Sequence, residues 1–146
     1  MVVVDNNVVD ILVTTPTDHS NVVVRVKLGT DLDEATRKLS GYMSGVGASV
    51  GIVVSRERIR ILQETYQGHP SIQLVGEFPV SLARGLRTST DPVDFAEDVQ
   101  RWLELLRVGE DGAVEPLRSV LAEHVFPAIA DGTVRAAGPR TRVGAG

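Results

Sequence analysis

The chain has 146 residues, 42% hydrophobic and 23% charged, with a formal net charge of −4. That balance is ordinary for a globular domain and excludes a polycation built to coat nucleic acid. Cysteine is absent, which excludes disulfides and thiolate metal sites, and no apolar run approaches the roughly 20 residues that span a bilayer.

Val2–Val4 and Val8–Val13 are β-branched runs separated by Asp5-Asn6-Asn7, a pattern that predicts a tight hairpin. No basic leader follows Met1, so the cytoplasm is the expected compartment. Turn chemistry around Pro16 precedes a strand over Asn21–Leu28. Its alternation sets Val22, Val24, Val26 and Leu28 on one face and Val23, Arg25 and Lys27 on the other.

A helix is predicted over Asp31–Ser44, with Asp31 as N-cap and Glu34 completing a capping box. Leu32, Ala35, Leu39, Tyr42/Met43 and Val46 form its apolar stripe, and Gly45 and Gly47 end it. Ser49–Ser55 reads as a strand covered on both faces, so strand, helix and strand make a parallel crossover. Arg58–Tyr66 reads as a further strand and Ile72–Val75 as a short edge strand, with Phe78–Leu82 ambiguous. Thr90-Asp91-Pro92 starts a helix whose buried stripe is Phe95, Val99, Trp102, Leu103 and Leu106. Pro116 starts a last helix that Pro127 should kink or stop. These boundaries predict a single α/β domain over 1–131, with its core at 1–66, followed by a flexible tail over 132–146.

The charge is uneven along that order. Residues 20–90 carry nine Lys/Arg against six Asp/Glu, and residues 91–131 carry three against ten. An anionic partner is therefore expected at the middle segment, where Arg25, Lys27, Arg37, Lys38, Arg56, Arg58 and Arg60 could form one basic face. His19, His69 and His124 lack metal-ligand spacing, and Asp18-His19-Ser20 is a turn and not a triad.

Hairpin, strand, capped helix and buried strand follow one another with Asp10 opening the second strand and Lys27 near the end of the third. With Val22-Val23-Val24-Arg25-Val26-Lys27 and the helix text through Tyr42-Met43, this order resembles the PD-(D/E)XK nuclease superfamily, in particular restriction-enzyme and RecB-type nuclease domains. The likeness covers roughly residues 1–66. It implies a restriction-endonuclease-like fold, a mixed β-sheet with the crossover and C-terminal helices. The superfamily usually opens with a helix, whereas this sequence opens in strand.

The resemblance also implies a chemistry. Two carboxylates hold Mg²⁺, and a Lys two residues after the second acid orients the attacking water. It carries the first acid onto Asp10 and the Lys onto Lys27. Arg25 stands where the second acid belongs, and Lys38 where RecB-type domains have Gln. A divalent ion about 4 Å from a guanidinium is repelled by about 8 kcal/mol at an effective dielectric of ~20, before relaxation. In some members the acid has moved to the following helix, which makes Glu34 the substitute.

Three expectations follow. The first is a degenerate, non-catalytic docking module for nucleic acid or protein, with no cofactor and with Arg25, Lys27, Arg37, Lys38, Arg58 and Arg60 as candidate nucleic-acid contacts. The second is an active Mg²⁺-dependent DNA endonuclease or exonuclease using Asp10, Glu34 and Lys27, with Asp10 and Glu34 on the metal. The third is an interaction domain that forms a homo-oligomer or joins an assembly through the exposed side of the Trp102 helix. None involves a membrane partner.

Overall fold

Helices cover both faces of a six-stranded mixed sheet in a computed structural model that describes residues 9–137, apart from 18, 30, 67–69 and 110. The strands are β1 (Ile11–Thr14), β2 (Ser20–Val26), β3 (Val50–Val54), β4 (Arg58–Tyr66), β5 (Pro70–Pro79) and β6 (Thr133–Ala136), in spatial order β5-β4-β3-β2-β1-β6. Only β2 and β3 run parallel, joined by helix α1 (Asp33–Val46), and the other neighbours are antiparallel. The Val2–Val4 strand and its hairpin turn lie outside the described residues.

Alternation along the strands divides the core in two. Val23, Val53 and Leu62 meet Leu32, Ala35, Leu39 and Met43 of the α1 layer. Gly51 lets α1 lie close on β3, because a Cβ there would fall 2.5 Å from Met43 Sδ and 3.2 Å from Leu39 Cδ2. The opposite face, with Val22, Val24, Ile52, Ile59 and Ile61, packs on α2 (Pro92–Arg107) and the C-terminal helical run. Every residue of the predicted α2 stripe is buried, and Asp91 caps that helix by accepting from the N–H groups of Val93 and Asp94.

Four local expectations need correction. Helix α1 begins at Asp33 with Leu32 as its N-cap residue, and no capping box forms. Asp31 Oδ1 instead accepts from Asp33 N at 3.1 Å, a local turn bond, while burial of Leu32 to 2% exposure pins the entry of the chain. Strand β5 is ten residues long and absorbs Phe78, whose ring lies in the core opposite Ile59.

Pro127 does not stop the last helix, and what it imposes is a local irregularity. Leu117–Val120 (α3) passes through a π turn at Leu121–Val125 into Phe126–Ile129 (α4), with Phe126 N–H reaching Leu121 O. A proline cannot donate to the carbonyl four residues back, and one widened turn just before it accommodates the loss. The stripe at Leu117, Leu121, Val125 and Ile129 stays buried throughout.

The fourth concerns the tail. Thr133–Ala136, expected in the loose segment 132–146, forms β6 and pairs along the whole of β1. Val134 is 6% exposed in the α2-side core, and Gly132 fits because a Cβ there would collide with Val13 Cγ1. No helix among the described residues is long and apolar enough to cross a membrane.

Candidate functional site

The antiparallel register that pairs Ile11 with Val24 brings Asp10 beside Arg25 at one end of the sheet. Asp10 N–H donates to Val24 O at 2.8 Å, and Ala137 N–H donates to Asp10 O at 2.9 Å. The carboxylate oxygen Oδ2 accepts from Val26 N–H at 2.7 Å and from Arg25 Nη1 at 3.2 Å. Both side chains are largely covered, 15% exposed for Asp10 and 21% for Arg25. Asp10 thus ties together the ends of β1, β2 and β6.

Lys27 follows at the end of β2, its N–H held by Val54 O at 2.8 Å. Its ammonium forms no ion pair or side-chain hydrogen bond with another described residue. Glu34 lies in the first turn of α1, 62% exposed, with Arg37 at 3.8 Å and Lys38 at 4.0 Å. The expected basic face is therefore interleaved with acids. Arg60 donates to Glu77 at 2.6 Å and to Asp33 at 2.9 Å, and Arg58 reaches Glu77 at 3.3 Å. The hydrogen bond to Glu77 raises the Arg60 pKa above its ordinary value against the opposing effect of burial, and Asp33 adds to the rise.

Two carboxylates and a nearby lysine would suit a divalent ion only if the carboxylates were available together. Here Asp10 already faces a guanidinium, and Glu34 faces two cations of its own helix. No group of three or more His, Asp or Glu among the described residues could hold a metal ion. The residues present do not fit Mg²⁺.

What Asp10, Arg25 and Lys27 do share is a cleft of about 420 Å³ at the end of β2, closed on its far side by Pro92, Val93 and Ala96 of α2. Glu34 does not line it. Sequence reasoning missed the α2 wall, whose signal was Val93, an apolar residue off the buried stripe of that helix. In the structure Val93 is 55% exposed. A second, polar cleft of about 490 Å³ lies near Asp98 and Arg101. There the buried Asp98 accepts from the N–H and Oγ of Ser89, which anchors the segment ahead of α2. The outward side of α2 carries Asp94, Glu97 and Arg101, a charged surface.

Comparison with protein-family models, with curated protein sequences and with solved structures finds no match to this chain. The fold is a mixed α/β sheet with C-terminal helices, and the site is a cationic cleft at the end of its interior strand β2.

Proposed function

We propose that the chain is a non-catalytic relative of the PD-(D/E)XK nucleases, a restriction-endonuclease-like domain that serves as a docking module. One observation carries this reading: the guanidinium of Arg25 holds the Asp10 carboxylate at 3.2 Å, in the seat where hydrolysis needs a second acid. Two supports come from the topology. An antiparallel pair leads through helix α1 into a parallel buried strand, with the residues at 10, 25 and 27 gathered at one sheet end.

Charge pairing favours a protein partner over a nucleic-acid backbone. Five of the six candidate cations, all but Lys27, are paired with four carboxylates, Asp10, Asp33, Glu34 and Glu77. Backbone binding draws its affinity from releasing counterions, and a cation already neutralised by the protein releases few.

Incubation of the full chain with plasmid, single-stranded DNA and RNA in Mg²⁺ or Mn²⁺ tests the reading. The expected result is no cleavage, and duplex binding no tighter than about 0.1 mM at physiological salt. Mn²⁺-dependent cutting that vanishes in both Asp10→Ala and Lys27→Ala would replace it with an active nuclease. Tight, steeply salt-dependent DNA binding would transfer the docking role to nucleic acid.

A further inference from the structure

We infer that the cleft at the end of β2 captures the C-terminal carboxylate of a protein partner whose last side chain is apolar. This rests on the docking reading and supplies the chemistry of the partner.

The charge of the cleft selects a monoanion. Its charged lining among the described residues is Arg25, Lys27 and Asp10, a net of one positive charge. Arg25 uses Nη1 on Asp10 and keeps further N–H donors. Lys27 offers three more and forms no ion pair among the described residues. A carboxylate fits this set, since planar guanidinium and ammonium donors can hold its two oxygens. A phosphate monoester would bring two negative charges to a described lining whose net charge is a single positive one.

The walls select an apolar body. Only five large hydrophobic residues among those described are well exposed, and two of them, Leu28 at 38% and Val93 at 55%, line this cleft together with Val26 and Ala96. Exposed apolar surface set beside unneutralised charge marks a site that recognises both at once. The N-terminus of α2 contributes walls and not donors, because Asp91 Oδ1 already accepts from Val93 N at 2.8 Å and from Asp94 N at 3.2 Å.

Openness decides the source. Sites for free small molecules enclose most of the ligand surface. Among the described residues this cleft is only half enclosed, between the strand end and the helix. Such a shape buries one end of a ligand and lets the rest leave, as a chain terminus requires.

The test uses a fluorescein-labelled peptide ending in Val-Leu with a free carboxylate, its C-terminal amide, the same peptide ending in Asp, and 4-methylpentanoate as competitor. Anisotropy titration of the wild-type chain is expected to show saturable binding of the free acid. Binding should weaken about tenfold for the amide and for Lys27→Met, the loss of one charge-assisted contact. Leu28→Asp should weaken it comparably, and Arg118→Met, on the distant α3, should leave it unchanged. Equal binding of acid and amide, or an unaffected Lys27→Met that is folded by circular dichroism, overturns the inference. So does 4-methylpentanoate binding as tightly as the peptide, which would make the cleft a small-acid site. Cleavage in the nuclease assay removes the docking reading itself, whereas a null titration without cleavage removes only the carboxylate capture.

Discussion

Arg25→Glu is expected to lower the thermal midpoint by about 9 °C, the equivalent of about 3 kcal/mol for a chain of this size. The wild-type guanidinium and the Val26 N–H share one oxygen of Asp10, with both side chains less than a quarter exposed. The substitution deletes that bond and sets a second carboxylate beside the first in poorly solvated surroundings. Arg25→Met removes the bond alone and should cost about 2 kcal/mol, leaving Asp10 without its cation. The glutamate variant also rebuilds two acids and a lysine at one end of the sheet, so about 10 mM Mn²⁺ should restore most of its lost stability by binding only the folded state. Thermal unfolding with and without Mn²⁺ reads both effects. An Arg25→Glu chain as stable as wild type would show that the pair does not hold the strand ends.

Trp102→Ala is the most destabilising single change expected, about 4 kcal/mol. The ring is fully buried between the sheet and the C-terminal helices, and its Nε1–H donates to Gly112 O at 2.8 Å. Alanine leaves a large cavity and an unsatisfied carbonyl together. Trp102→Phe keeps most of the volume and loses the donor, for about 1–2 kcal/mol. Urea unfolding followed by far-UV circular dichroism separates the two, with the midpoint moving and the slope unchanged. A Phe variant as unstable as the Ala variant would place the stability in the hydrogen bond and not in the packing.

Much of this architecture was legible because it is local and periodic. Arg58–Tyr66 matches β4 at both ends, and the stripe of α2 buries every residue its spacing selects, while that of α1 does so at Leu32, Ala35, Leu39 and Met43 and leaves Val46 exposed at its end. What escaped depends on distant partners. Thr133–Ala136 has only the β-branched pair Thr133-Val134 as strand signal among its Gly, Ala and Arg neighbours, and it becomes a strand because β1 presents an open edge more than a hundred residues earlier. The helix start at Asp33 followed the burial of Leu32 and not the capping pattern around it.

The site divides the same way. Alternation placed Arg25 and Lys27 together, and counting could find the cations of β4 and α1. Counting could not find their counter-charges, because Glu77 meets Arg60 only through the β4–β5 register and Asp10 meets Arg25 only through the β1–β2 register. The α2 wall of the cleft likewise exists only once that helix lies over the end of β2.

Crystals of the wild-type chain grown in Mn²⁺ and measured at the manganese absorption edge test most directly whether Arg25 has taken the metal's place. The expected map has no anomalous peak at coordination distance from Asp10, and the Arg25 guanidinium still bonded to that carboxylate. A manganese peak bridging Asp10 and Glu34, with Arg25 turned out to solvent, would contradict it.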